Sequence, residues 1–417
     1  MPTQDHPLPH PLATALALSL AAAIALGLTR FSYGLLLPPM RDDLGWSYLL
    51  AGSMNTCNAL GYFLGALIAP LLMRRMGVWR LLVAGSLLAA LFMLAPGMVA
   101  DTTALFALRV AAGLASACIF IAGGVLAARL GSLHSGRAGF YIGLYYGGTG
   151  VGIVLSALLV PAALAAGHAH GVPHAWQWAW LALGLACLLA TAAMAWPARA
   201  IGEARSAHGA ARGFAVRDFL FGLGGYFMFG VGYIGYMTFV VALLKQQGMS
   251  AGLITVFYTM LGLAVFASAR IWARLLDLYR GGQPLAILNA LLAIAVILPA
   301  LSSAAPIVFM SGLVFGAVFL SVVASTTALV RHNLSPASWS AGISAFTTVF
   351  ALGQIVGPIV VGAIADGQAG LERGLMVSAV ALLLGAALAS RQKALAPDQA
   401  YPHRPHGPHT NSNDSHL

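Results

Sequence analysis

Long apolar runs, separated by short polar, glycine- or proline-bearing breaks, follow one another along almost the whole chain. Reading the runs against their breakers predicts twelve spans, at residues 12–37, 47–73, 78–98, 102–129, 138–165, 175–196, 216–243, 251–275, 284–302, 305–330, 340–364 and 371–390. A helix of about 20 residues crosses about 30 Å of hydrocarbon, so each run can span a bilayer. The runs are continuous and do not alternate with period two, which excludes a transmembrane β-barrel. The pattern predicts an all-α membrane protein of twelve transmembrane helices, with the lipid bilayer as its solvent.

Composition sharpens this reading. Of 417 residues, 60% are hydrophobic and 8% charged, against about 25% charged in soluble domains. A water-soluble domain so poor in charge would expose large apolar patches. The 48 glycines suit a bundle in lipid, where small residues let helix backbones approach closely. Cys57, Cys118 and Cys187 fall inside apolar runs and are read as packing residues, without a disulfide framework or metal pattern. The stub before the first run has no Lys or Arg, and the run is too long for a signal peptide, so it is read as a retained first helix.

Charge then supplies a topology. Fifteen basic residues fall in the loops and tail on the side of the N-terminus: Arg74, Arg75, Arg80, Arg129, Arg137, Arg199, Arg205, Arg212, Arg217, Arg274, Arg280, Arg331, Arg391, Lys393 and Arg404. The opposite side holds Arg41, Lys245 and Arg373, and Arg30, Arg109 and Arg270 lie within spans. This asymmetry places both termini in the cytoplasm of a bacterial-type inner membrane. The bases sit singly or in pairs between spans, so the net charge of +10 implies no nucleic-acid partner.

An offset of 203 residues relates the two halves. It brings Gly45 and Ser47 onto Gly248 and Ser250, Gly113 onto Gly316, Ala138–Gly139 onto Ala341–Gly342, Gly150 onto Gly353 and Tyr33 onto Tyr236. Such a repeat predicts two six-helix bundles in the same orientation, with a site at their interface near the midplane. The expected organisation is a cytoplasmic stub (1–11), an N-terminal bundle (12–196), a cytoplasmic linker (197–215), a C-terminal bundle (216–390) and a disordered cytoplasmic tail (391–417).

Local motifs resemble those of the major facilitator superfamily. Leu105-Phe-Ala-Leu-Arg109-Val-Ala-Ala-Gly113-Leu-Ala-Ser-Ala117 is similar to its helix-4 pattern, and Gly353-Gln-Ile-Val-Gly357-Pro358, with Gly362 and Asp366, to its helix 11. Arg30-Phe-Ser-Tyr33-Gly-Leu-Leu-Leu-Pro38 and Asn58-Ala-Leu-Gly61-Tyr62 resemble the YbfB/YjiJ-like branch. The resemblance implies a secondary transporter of small solutes working by alternating access, and a latch role for Gly77 and Arg80 after helix 2. There the superfamily's acid is replaced by Arg74, and an acid stands instead at the repeat-related Asp277. Helix 5 carries Gly147-Gly-Thr-Gly150-Val-Gly152 in place of the Gly-Pro of many antiporters, which weighs against that mode.

Charges within spans mark candidate sites, because a central Arg costs about 3 kcal/mol to insert. Arg30 is expected to face a cavity and bind an anionic group such as a carboxylate, whose geometry its guanidinium fork matches. The rival role is a structural Arg satisfied by backbone carbonyls. Arg109 is a candidate for coupling or for structural hydrogen bonding. Arg270 either snorkels, pairs with Asp277 or meets the substrate. Asn55, Asn58 and Tyr62 share one helical face, as do Tyr141 with Tyr145 and Tyr226 with Tyr233. With Tyr33 and Gln354 they complete the candidate substrate contacts, interhelical bonding being the alternative. The offset places Tyr233 opposite Arg30.

All eleven acids fall in loops, tails or span ends, which disfavours cation transport and favours an anionic cargo, with protons as the candidate coupling ion. Efflux of apolar drugs or neutral metabolites is the alternative, and a solute sensor a second. No nucleophile motif or metal cluster suggests an enzyme. The His168, His170, His174 set and the tail's His403, His406 and His409 lack a second kind of ligand, so no metal or cofactor is expected. The chain is expected to act as a monomer.

Overall fold

The computed structural model describes residues 10–134, 137–202, 214–335, 338–367 and 370–395. The stub up to residue 9, linker residues 203–213 and the tail from 396 lie outside the described residues, with Arg205, Arg212, Arg404 and the tail histidines.

Each apolar run forms a helix, because a backbone in hydrocarbon must satisfy its own hydrogen bonds. Among the described residues twelve helices are long and apolar enough to cross a membrane, and the chain is a multi-pass membrane protein. They are α1 (Pro11–Leu44), α2 (Tyr48–Met76), α3 (Val78–Met98), α4 (Thr102–Leu133), α5 (Ala138–Ala169), α6 (Trp176–Arg199) and α7 (Val216–Gln246). Then come α8 (Ala251–Ile271), α9 (Gln283–Leu301), α10 (Ala305–Asn333), α11 (Trp339–Ala365) and α12 (Gly370–Ser390), with a short helix Ala273–Leu278 after α8.

Helix α1 is longer than its apolar run suggests. It continues through Pro38 and Pro39 and stops at Gly45, whose φ is 64°. Membrane helices tolerate such prolines where neighbouring groups can re-satisfy the freed carbonyls. The offset of the two halves shows at the same corner: Gly45 and Gly248 both have positive φ. Ser47 and Ser250 then accept from the backbone N–H of Leu50 and Leu253 at 3.1 and 3.4 Å, capping α2 and α8 alike.

In α1 the stretch Ala23–Phe31 is π-helical, with the Ser32 N–H bonding Gly27 O five residues back. The hydroxyl of Thr29 turns to Ile24 O and Ala25 O at 2.7 and 2.6 Å, and Ser116 of α4 also donates to Ala25 O. The widened turn thus keeps its backbone satisfied. It brings Gly27 against Gly152 of α5, where a Cβ on Gly27 would lie 2.4 Å from Gly152 Cα.

Helices α1–α6 pack mainly on one another, as do α7–α12; the two sets meet where α5 packs on α8, α2 on α11 and α1 on α7. These meetings follow the offset, which exchanges the first two pairs. Substituting Gly27 by Val is expected to overpack the α1–α5 contact by about 1–3 kcal/mol and lower the Tm of the purified protein. Gly252→Ala, at a position with nothing within 4 Å, serves as the neutral control. Equal Tm for both variants would contradict this packing.

Candidate functional site

A cavity of about 520 Å³ lies between the two helix sets, within the range of small-molecule sites. It is walled by α1, α2, α4 and α5 from one set and α7, α8, α10 and α11 from the other, with the short helix after α8 at its rim. The four remaining helices contribute nothing to the lining. The cavity opens among Ala128, Gly139, Ala273, Asp277 and Arg331, all exposed, on the face that carries most of the arginines. Its deep end is Arg30, only 2% exposed.

Beyond Arg30 the sets are sealed toward the opposite face. Tyr258 OH donates to Phe31 O at 2.7 Å, Asn55 Nδ2 to Thr238 Oγ1 at 2.6 Å and Thr56 Oγ1 to Ile355 O at 3.0 Å. At the rim the Asp366 carboxylate, ending α11, accepts from the N–H groups of Tyr48 and Leu49 at 2.6 and 2.9 Å. With Ser47 it satisfies the first three N–H groups of α2, and its charge meets the positive end of that helix. Lys245 of α7 bonds Asp42 of α1 at 2.9 Å. These two residues are separated by 203 positions, so equivalent places in the two halves form an ion pair across the seam.

The deep end is a small polar cluster. Arg30 donates to Gln354 Oε1 on α11, and Tyr233 OH donates to the same oxygen at 2.8 Å. The guanidinium carbon lies 5.1 Å from the Tyr62 ring centroid, a cation–π arrangement. Arg30 Nε and Gln354 Nε2 are buried without a protein partner. Among the described residues no carboxylate pairs with Arg30.

Of the residues proposed to touch substrate, Arg30, Tyr62 and Tyr233 line the cavity, and Gln354 stands directly behind them. The others do not line it in this state. Asn55 bonds Thr238 and accepts from Arg109 Nη2 at 3.4 Å, and Asn58 donates to Arg109 O at 3.2 Å. Tyr33 donates to Ala51 O and Tyr145 to Phe120 O, both at 2.7 Å. Tyr141 is buried against His134 and Phe140, and Tyr226 is stacked on Phe229 and Phe350. The Asn55 and Asn58 amides and the Tyr33 and Tyr145 hydroxyls serve helix contacts.

Arg109 donates from Nη1 to Thr29 O at 2.7 Å and lies over the rings of Tyr33 and Trp180 at 5.1 and 5.6 Å. It braces the π-helical stretch from α4. Arg270 lies over Phe140 of α5 at 5.2 Å and not against Asp277, which among the described residues makes no ion pair. Gly77 takes φ 87° between α2 and α3, and Arg80 is exposed on the arginine-rich face. His174 bonds Asp43 at 2.6 Å and His170 stacks on Trp178; no described group of three His, Cys, Asp or Glu could hold a metal.

Tyr146, Phe120, Phe319 and Phe350 also line the cavity, and nothing in the sequence pattern marks them as site residues. An aromatic residue gives no polarity contrast in an apolar span.

Twelve helices in two sets around a central cavity, closed on one face and open on the other, define a major facilitator-type secondary transporter, which moves solutes and is not an enzyme. The chain belongs to the family described as uncharacterised MFS-type transporter YbfB, whose profile matches residues 22–390. A bacterial homologue of the human lysosomal transporter Spinster, solved in an inward-facing and unoccupied conformation, superimposes with a TM-score of 0.68 at 16% identity, over 91% of this chain and 96% of that one. The nucleoside transporter NupG superimposes with a TM-score of 0.67 at 12% identity, over 92% and 99%. At these identities the likeness is one of fold. No curated protein matches the sequence.

Removing the cap with Asp366→Ala is expected to weaken the seal by about 1–2 kcal/mol. Spin labels at the seam ends of α2 and α11 should then report a larger fraction of long distances by electron–electron resonance. An unchanged distance distribution would show that the cap takes no part in closure.

Proposed function

We propose that the protein carries a small organic anion, of the carboxylate class, across the membrane by alternating access. The observation behind this reading is Arg30: a buried guanidinium at the closed end of the cavity with no carboxylate to neutralise it. The carbonyl oxygen of Gln354 holds the place that a carboxylate oxygen would fill more strongly, since charge-assisted bonds are about twice as strong as neutral ones. Two unpartnered donors, Arg30 Nε and Gln354 Nε2, add capacity for an acceptor-rich ligand, and no comparable set of unpartnered acceptors stands beside them.

We assign the arginine-rich face to the cytoplasm on the asymmetry of Lys and Arg, which makes the described state inward-open, in a bacterial-type inner membrane. Protons are the coupling ion we favour, travelling with the anion. The described lining holds no carboxylate apart from Asp277 at the rim, so the substrate's own carboxyl is the proton's natural place. One chain encloses the cavity, in keeping with a monomeric carrier.

In proteoliposomes, Arg30→Gln should lower the apparent affinity for a transported carboxylate about 10- to 100-fold, from the loss of about 1.5–3 kcal/mol of charged hydrogen bonding. Arg30→Lys should fall in between, keeping charge without the fork. Unchanged transport of every carboxylate by Arg30→Gln would end the anion reading. The apolar and aromatic lining supports a second reading, efflux of apolar drugs, which resistance profiling of an overexpressing strain would separate from the first.

A further inference from the structure

The lining is far more aromatic than the chain. Eight of its 28 residues are Phe or Tyr, against 9% Phe, Trp and Tyr in the sequence. On the C-terminal side these rings are also aligned. Phe229 and Tyr233 stack at 4.8 Å with 19° between planes, Phe229 and Phe350 at 5.3 Å with 9°, and Tyr233 and Phe319 at 6.0 Å with 8°. Tyr62 and Tyr146 face the same space from the other helix set. Arg30 meets the aligned rings at Tyr233, in the middle of the file, where the Tyr233 hydroxyl shares the Gln354 oxygen with that guanidinium.

Charge in the cavity is as unevenly placed as the rings. Arg30 stands alone at the deep end, while Asp277 and Arg331, of opposite sign, stand at the rim. From Phe319, beside Tyr233, to Arg331 is twelve residues of α10, about 18 Å of helix rise. A second carboxylate on a short ligand held at Arg30 would therefore lie among aromatic rings, out of reach of Arg331. Burying an unpaired carboxylate there is strongly unfavourable.

From these placements we infer that the site selects planar aromatic monocarboxylates, the carboxylate on Arg30 and the ring against the edges of the file of Phe319, Tyr233, Phe229 and Phe350, whose faces are taken up by one another. The inference rests on the anion reading above and narrows it. Edge-to-face rings add about 0.5–1.5 kcal/mol beyond simple burial, equivalent to about a two- to tenfold gain in affinity over an aliphatic acid of similar size.

The test is a thermal-shift titration of the full chain in lipid nanodiscs with phenylacetate, indole-3-acetate, hexanoate, succinate and phenylacetamide. The two aromatic acids should raise Tm at concentrations about two- to tenfold below those hexanoate requires, with no shift from succinate or phenylacetamide. Phe350→Leu should narrow the gap between phenylacetate and hexanoate, with a normal size-exclusion profile confirming that the variant is folded. Hexanoate matching the aromatic acids would overturn the aromatic selection while leaving the anion reading in place. Succinate matching them would overturn the single-charge selection. Phenylacetamide matching phenylacetate, or no shift from any acid, would overturn the anion reading and this inference with it.

Discussion

The hydrogen bond between Arg30 and Gln354 joins the two helix sets near the middle of α1, well away from the ends of a span, where a charge is costly. Neither residue could face lipid there, so α1 and α11 must turn these side chains toward the seam. The consequences spread outward from that requirement. The π-helical stretch sets the rotation of Arg30, Arg109 holds the stretch through Thr29 O, and the Asn55 and Asn58 amides hold Arg109 and its helix in turn. Much of the buried polarity of the N-terminal helices is thereby committed to positioning one guanidinium.

The seal above Arg30 has a different character. Its contacts are numerous and geometrically specific, yet the outermost are individually weak. Asp42 and Lys245 are both more than half exposed, where an ion pair contributes about 0–1 kcal/mol, and Asp366 is exposed as well. Closure built from such pieces can be undone piecemeal. A carrier needs two states separated by only a few kcal/mol, and a hydrophobic interface of the same extent would leave one state far too stable. Glycines such as Gly150 and Gly262 between α5 and α8, and Gly52 and Gly362 between α2 and α11, let the backbones approach closely and fix the register of the two sets.

The number of spans, the continuous helices and the offset of 203 residues were all legible in the sequence, because lipid imposes length and apolarity on every span and the repeat recurs at corners such as Gly45–Ser47 and Gly248–Ser250. Arg30 was legible for the same reason: a charge in an apolar run stands out. What did not carry over is the choice of helical face. Asn55, Asn58, Tyr33 and Tyr145 have the polarity of site residues, but a hydroxyl or amide in a membrane bonds a neighbouring helix as readily as a ligand. Tyr145 and Tyr146 make the point most sharply. One residue, about 100° of helix rotation, separates a buried strut from a cavity wall. The π-helical stretch left no mark in the pattern at all, since its apolar residues satisfy an ordinary helix equally well.

That stretch has an implication for how such a site could arise. A wide turn holds one residue more than the ordinary turn it replaces, which is what a single-codon insertion into α1 would produce. Deleting one residue between Ala23 and Thr29 would restore the ordinary turn and leave both flanks in register, whereas a deletion in the ordinary helix beside it would swing one side of α1 by about 100°. Either Arg30 or the half of α1 before it would then face the wrong neighbour. The stretch around Gly27 thus works as a buffer of register, a part of α1 that can gain or lose a residue without turning Arg30 away from the seam.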